Sequence, residues 1–311
     1  MTASAVREYD CPWTWQEFTV ATRKPNPWAG HVLLLVRDAL GETVAAADVE
    51  LPLQDNTTQA WVSLWVRPEH LGGDGGDELA EHVKTLAREN GRKVVLAEAP
   101  WDLDGSRSGL CSLLERHGFA LALPDGHRVL ELPADGERLR QVAADAAAHH
   151  TAYRLVSWSG ACPDEYLEAF AGLRARLASE APRGELEIED EEFGPARARH
   201  EEDELAAQQR TVHTTVAVHV GGTLAGHSQL VVPGTDVVNA HQWDTLVVPE
   251  HRGHRLGLAL KARNLLEAGP ALGSRTRLHT WNAVENTPMI DINEQIGFRL
   301  VEYVGEFQCR L

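Results

Sequence analysis

The chain is poor in cysteine. Cys11, Cys111, Cys162 and Cys309 stand far apart, and no pair has CxxC spacing. Neither a zinc knuckle nor a disulfide framework is expected, and nothing implies a metal. Long apolar runs are missing as well. None approaches the roughly 18 residues that cross a bilayer. The start, MTASAVREYD, lacks a charged-then-apolar leader. No membrane partner is expected, and the expected location is cytoplasmic. Basic residues are scarce: 29 Lys and Arg against 46 Asp and Glu, a formal net charge of −17. A phosphate backbone is repelled by such a surface, so no nucleic acid is expected as a partner. A cationic or amine substrate suits the charge better, although the same charge also fits a highly soluble protein of any specificity. At 311 residues, two domains of ordinary size are the prior, each able to bury a core. A monomer and a homodimer both remain open.

What the chain does have is one informative stretch, Asn239 to Leu260, reading NAHQWDTLVVPEHRGHRLGLAL. The apolar run Thr245–Val248 is stopped by Pro249. A basic turn, His251-Arg-Gly-His-Arg255, follows. Leu258, Ala262, Leu265 and Leu266 then recur at helical spacing. The reading is strand, basic turn, helix. Unpaired N–H groups at the helix start and the positive end of its dipole suit an anion, most naturally a pyrophosphate. Gly253 and Gly257 are expected to let a ligand approach the main chain. No Gly-Lys-Ser/Thr follows and the three spaced glycines of a dinucleotide fingerprint are missing, so neither of those loops is meant.

The strand, the Arg-Gly-x-x-Leu-Gly turn and the helix resemble the acetyl-coenzyme A signature of the GCN5-related N-acetyltransferases (GNAT). A second block is similar to the same family: Thr280-Trp-Asn-Ala-Val-Glu-Asn-Thr-Pro-Met289, then Ile292-Asn-Glu-Gln-Ile-Gly-Phe298. The two blocks stand in the family's order and at its spacing, and together cover Asn239 to Leu311.

Earlier elements tell the same story twice. Strands are expected at His31–Arg37, Val44–Leu53 and Gln59–Val66, the last ended by Pro68. Then come the turn Leu71-Gly-Gly-Asp-Gly-Gly76, a helix over 77–90, a strand at Val94–Glu98, a helix over 109–117, Gly118-Phe119 and a strand at Arg128–Leu132. An internal repeat of about 150 residues is the economical explanation. The resemblance therefore extends to the tandem, two-domain actinobacterial members, of the mycothiol synthase type. The fold implied is α/β (α+β): two tandem GNAT-like domains, each with a mixed, mostly antiparallel central sheet flanked by helices. The divisions expected are 1–134, a helical connector 135–150, and 151–311 with the acetyl-CoA site. Between the connector and the signature lie a strand at Tyr153–Trp158, a helix at Pro163–Leu177 and a hairpin about Gly221-Gly222. Ten of the 21 residues from Gly184 to Glu204 are Asp or Glu. This stretch reads either as a mouth for an amine or as a solvated mobile segment, and the second reading is preferred because such runs carry no geometry.

The resemblance implies acetyl-CoA as co-substrate and a small-molecule amine as acceptor. Transfer needs a grip on the cofactor, an N–H for the developing oxyanion and a base for the ammonium. The resemblance sets Leu246, Val247 and Val248 against the pantetheine arm. The turn Arg252, Gly253, His254, Arg255, Leu256, Gly257 and Leu258 would hold the pyrophosphate. Arg255 stands where the family usually has a glycine. The family's base position, eleven residues before Arg252, is His241. Strand alternation would put His241, Trp243, Thr245 and Val247 on one face; a bulge would make Asp244 the candidate instead. The family's tyrosine acid, four residues before the Gly-Phe turn, is here Asn293, which cannot release a proton. Either water donates, or the thiolate leaves unaided while Asn293 bonds the sulfur or the pantetheine. Asn286 matches a cofactor-contacting position, and Asn282 is a further contact near a strand end; both also suit helix capping. The first half has Leu71, Asp74, Ala60, Leu114 and Arg107 at the matching places, so it is expected to keep the fold without the site. An aminoacyl-tRNA-dependent transferase and a non-catalytic acyl-CoA-binding sensor are the competing readings.

Overall fold

The computed structural model describes residues 7–311; the opening residues 1–6, part of the stretch read for a leader, lie outside the described residues. The first half runs α1 (Trp15–Arg23), β1 (Ala29–Arg37), β2 (Thr43–Pro52), β3 (Gln59–Val66), α2 (Asp74–Glu89), β4 (Val94–Trp101), α3 (Gly109–Arg116) and β5 (Ala120–Glu131). The connector is α4 (Gly136–Ala147). The second half runs β6 (Tyr153–Ser159), α5 (Asp164–Ala175), α6 (Leu177–Glu180), α7 (Pro195–Ala207), β7 (Arg210–His219), β8 (Leu224–Pro233), β9 (Asn239–Val247), α8 (Leu256–Leu272), β10 (Arg277–Ala283), α9 (Thr287–Ile296) and β11 (Arg299–Arg310).

Local chemistry starts and stops these elements. Thr14 and Glu17 close a reciprocal capping box on α1. Ser108 and Asp135 cap α3 and α4 through their side-chain oxygens. α2 buries Leu79, Ala80, Val83 and Ala87 along one stripe. Gly75 and Gly76 lie inside the first turn of α2. A Cβ on Gly75 would meet Val44 at 3.1 Å, and one on Gly76 would meet the His70 carbonyl at 3.0 Å. These two glycines therefore serve close packing of α2 on β2 and on the turn before it.

The halves repeat the same order of elements, as expected, and each carries a mixed, mostly antiparallel sheet. The sequence did not announce how the sheets meet. Among the described residues the strands form one eleven-stranded sheet, ordered β1-β2-β3-β4-β11-β5-β10-β9-β8-β7-β6. Only β3–β4 and β9–β10 pair in parallel. The last strand of each half is exchanged. β11 pairs with β4 of the first half, β5 pairs with β10 of the second, and β5 and β11 pair with each other at the centre.

α8 packs on one face of the second half and α5 on the other. Leu230, Ala240, Leu258, Ala259 and Leu265 share the α8-side core. Phe170, Leu173, Val216, Leu246 and Val248 share the α5-side core. The acidic stretch is not a free solvated segment. Asn56 and Glu189 exchange backbone-to-side-chain hydrogen bonds of 3.1 and 2.7 Å, Gln59 donates to the Glu187 carbonyl, and Arg197 of α7 pairs with Asp55 at 3.0 Å. The segment docks on the first half, and its carboxylates meet donors there.

Candidate active site

β9 and β10 are in parallel register at only three positions: Asn239 with Arg277, Ala240 with Leu278, and His241 with His279. Beyond them β9 stays with β8 and β10 with β5. The sheet therefore forks just after His241 and His279. Such a fork exposes main-chain groups of a central strand, where a ligand can take up strand hydrogen bonds.

A bulge marks β9 at the fork. Ser228 pairs with Thr245 and Leu230 with Gln242, so Trp243 and Asp244 together oppose Gln229. The bulge reverses the phase of the strand. Gln242 faces α8 with Leu230, and His241 therefore faces the α5 side. Beyond the bulge, Leu246 and Val248 face the α5 side and Val247 faces α8. Strand alternation alone would set Thr245 and Val247 with His241; the bulge corrects that placement. It also brings Asp244, which senses Arg174 of α5 and Glu201 of α7, to the face of His241.

The two base candidates differ electrostatically. Burial, then the nearby Arg210 guanidinium, pushes the His241 imidazole down to about 4. Such an imidazole is neutral at pH 7 and holds a proton poorly. Burial raises the Asp244 carboxyl, with Arg174 opposing and Glu201 adding to the rise. A carboxylate shifted upward is the better proton acceptor near neutrality.

Behind the fork lies the basic turn. A 3-10 turn, Pro249–His251, leads to Gly253 at φ +85° and to Arg255 at φ +53°. Arg255 is thus a non-glycine residue in the left-handed region at the N-cap of α8, where the family's glycine would sit without strain. No side chain caps α8, so the N–H groups of Leu256, Gly257 and Leu258 at its first turn lack a side-chain acceptor. Arg252, Gly253, His254 and Arg255 are exposed. Arg252 donates through Nε to the Val247 carbonyl at 3.1 Å and pairs with Glu180 at 2.7 Å, tying the turn to the end of β9. The uncapped helix start and two exposed guanidiniums fit a pyrophosphate. Gly257 also has a packing role. A Cβ there would meet Ile292 Cδ1 at 2.9 Å, so this glycine lets α8 approach α9.

The asparagines gather on the α8 side. Asn293 is fully buried; its Nδ2 donates to Asn282 Oδ1 at 3.1 Å, and Lys261 Nζ donates to its Oδ1 at 2.5 Å. Arg128, from the exchanged strand β5, also donates to Asn282 at 3.2 Å. Burial, then Arg128, pushes the Lys261 ammonium down to about 7. Lys261 read in the sequence only as part of the helix; the sign of its role is a long cationic side chain set among α8 residues that are nearly all buried. Asn286 caps α9, accepting from Met289 N at 3.4 Å. His241 and Asn293 thus flank the fork from opposite faces.

A second feature went unread. Arg7 and His127 both bond Glu302, the latter at 2.7 Å; His127 Nε2 meets His279 Nδ1 at 2.9 Å; His279 Nε2 meets Asn239 Oδ1 at 2.9 Å; and Asn239 donates to Asp236 at 2.8 Å. Asn239 offers its oxygen, so His279 donates there from Nε2 and accepts at Nδ1. His127 thus bridges Glu302 and His279 through its two ring nitrogens. The chain of bonds crosses β11, β5, β10 and β9 beside the fork. Among the described residues, no group of three or more His, Cys, Asp or Glu is placed to hold a metal ion, and no helix is long and apolar enough to cross a membrane.

The forked, strand-exchanged architecture has counterparts among solved structures. No family model and no curated protein matches the chain, but solved structures do. A tandem GNAT protein from the clavulanic acid biosynthesis pathway, solved without AcCoA, is 26% identical over 99% of this chain and 91% of its own, at a TM-score of 0.79. A GCN5-related N-acetyltransferase from Sphaerobacter thermophilus shares the fold at 16% identity, covering 96% and 85%, TM-score 0.59. Another from Kribbella flavida does so at 12%, covering 96% of each chain, TM-score 0.53. The chain has the tandem GNAT fold, and the solved structures support its place as a member of the GCN5-related N-acetyltransferase superfamily.

Proposed function

We propose that the protein moves an acetyl group from acetyl-CoA to the amine of a small molecule, at the fork of β9 and β10 in the second half. The observation that carries this reading is the conjunction at one fork: an uncapped helix start with basic flanks behind it, and the Trp243–Asp244 bulge in front. Acetyl-CoA, when bound, supplies the activated thioester. The first-turn N–H groups of α8 with Arg252 and Arg255 hold its pyrophosphate, and the main chain of Leu246 to Val248 aligns its arm. Asp244 accepts the proton that an ammonium must lose before it attacks. His241, neutral at pH 7, lines the same face as a hydrogen-bonding group. Asn293 holds Lys261, and Lys261 Nζ is the group there with a proton to give to a leaving thiolate. The first half has a similar 3-10 turn, Pro68–His70, and an α2 start without a side-chain cap, but Asp74 and Asp77 stand in its first turn, and their charge opposes a pyrophosphate.

Calorimetric titration of acetyl-CoA tests the assignment. Wild type is expected to bind one equivalent. The double variant Arg252→Glu, Arg255→Glu, which alters exposed side chains, is expected to weaken binding by at least about tenfold. Asp74→Lys in the first half is expected to change nothing. Absence of binding, or a double variant that binds as wild type does, overturns the reading.

A further inference from the structure

A cavity of about 350 Å³ lies between the two halves, within the range of small-molecule sites. Its walls are aromatic and acidic. Trp13, Trp28, Trp61 and Trp243 all line it, four of the nine tryptophans in the chain. Tryptophan faces attract cations; Arg210 already lies over Trp13 at 5.0 Å and over Trp243 at 5.9 Å, which leaves Trp28 and Trp61 without a guanidinium among the described residues. Two guanidiniums also line the cavity, but each is already engaged: Arg197 with Asp55 at 3.0 Å and Glu191 at 2.9 Å, Arg210 with Glu17 at 2.6 Å.

Two carboxylates are left over. Glu50 stands on β2 directly between His31 of β1 and Trp61 of β3. Among the described residues it has no ion-pair partner. Glu204 of α7 accepts from Gln208 at 3.2 Å and from Asn26 at 3.5 Å, and its nearest basic group is the His200 ring at 3.8 Å. Neither faces an ammonium or guanidinium at contact distance. Gln208, only 2% exposed, also lines the cavity, and its carbonyl oxygen has no hydrogen-bond partner. The Glu50 carboxylate and the unpaired Gln208 oxygen are acceptors that a cation in this space would satisfy, with Glu204 adding negative charge. Burial raises the Glu50 and Glu204 carboxyls, with His31 opposing at Glu50 and His200, Lys24 and His31 opposing at Glu204.

The far wall identifies what the cavity serves. Trp243 is half of the β9 bulge, next to Asp244 and two residues from His241. Trp243 thus belongs both to the cavity wall and to the bulge at the fork. We propose that it is the acceptor site and takes a dibasic small molecule: one cationic end lies beside Trp28 and Trp61 against Glu50 and Glu204, and the second amine is presented past Trp243 to Asp244. The acceptor role rests on the reading of the fork as the transfer site. Both halves build the pocket, Glu50 and Trp61 from the first, Glu204 and Trp243 from the second. The first half thereby selects the substrate without a cofactor site of its own.

Three probes of similar body separate the possibilities: 1,4-bis(aminomethyl)benzene, benzylamine and 4-(aminomethyl)benzoate, each titrated into the full chain with tryptophan fluorescence and heat as readouts. The dication is expected to bind at least about tenfold more tightly than the monocation, and the carboxylate-bearing probe most weakly. Glu50→Gln and Glu204→Gln are each expected to weaken the dication by about tenfold and to leave acetyl-CoA binding unchanged. Equal binding of the three probes to wild type, or none at millimolar concentration, overturns the proposal whether or not the variants fold. If the dication is preferred but acetyl-CoA does not bind, the cationic pocket stands and its acceptor role falls with the fork. If acetyl-CoA binds and the probes are not distinguished, the fork stands and the dibasic pocket falls.

Discussion

Lys261 is a cation enclosed in the α8–α9 interface with no carboxylate beside it: an asparagine oxygen, the Met289 sulfur at 3.7 Å and the Phe298 ring at 5.6 Å are its neighbours. Its pKa near 7 in the fold compares with about 10.4 in an unfolded chain. Below about pH 7 both states carry the proton, and the cost of enclosing the charge is fully present. Between pH 7 and about 10 only the unfolded chain holds it, so stability attributable to this residue rises with pH. Lys261→Met is expected to abolish that rise, seen as denaturation midpoints at pH 7 and 9.5 that converge relative to wild type. An unchanged pH slope would show that Lys261 is not buried as a cation. Residue roles were unevenly legible. The basic turn and the asparagines could be picked out because they follow a pattern along the chain. The choice between His241 and Asp244 could not be made there, because a bulge depends on a residue count across two strands, and nothing in β9 alone marks it.

Most elements could be read from their apolar period and their Gly and Pro stops. β3, read as Gln59–Val66, matches the observed strand, because Pro68 ends a run rich in Trp and Val. α7 was missed, because its residues alternate Arg and Glu with Ala and only Ala198 is buried; no apolar face existed to find. β5 is longer than the expected Arg128–Leu132, since Pro124 and Gly126 interrupt its pattern. Partner choice between strands was the largest omission. The exchange of β5 and β11 rests on contacts between residues far apart in sequence, such as Glu302 with His127 and Arg7. That cluster pins the exchanged strands. His127→Leu leaves Glu302 and His279 Nδ1 each short of one buried hydrogen-bond partner. It is expected to destabilise the protein by about 3 kcal/mol, measured by urea denaturation. A loss below about 0.5 kcal/mol would show that the bond chain does not hold the exchange together.

At the scale of the whole molecule, the repeat was visible but its consequence was not. Two copies of one fold imply two units in a row; the observed sheet runs through both, and each half completes the other with its last strand. The acidic run from Gly184 to Glu204 shows the same limit. Composition alone favours solvation, yet the run is held by Asn56, Gln59 and Asp55 of the first half, residues over a hundred positions away. Its carboxylates then face a cavity that neither half forms alone. The net charge of −17 therefore has a local meaning in this pocket as well as a general one for solubility.

The central claim is that acetyl transfer occurs at the fork, with Asp244 as the proton acceptor. The most direct measurement is the rate of thiol release from acetyl-CoA by wild type and Asp244→Asn, with and without 1,4-bis(aminomethyl)benzene, beside the acetyl-CoA affinity of each. The account predicts release that depends on the amine, a fall in kcat of about 10²- to 10⁴-fold in the variant, and an unchanged acetyl-CoA affinity. Release independent of the amine, or a variant as fast as wild type, would contradict it.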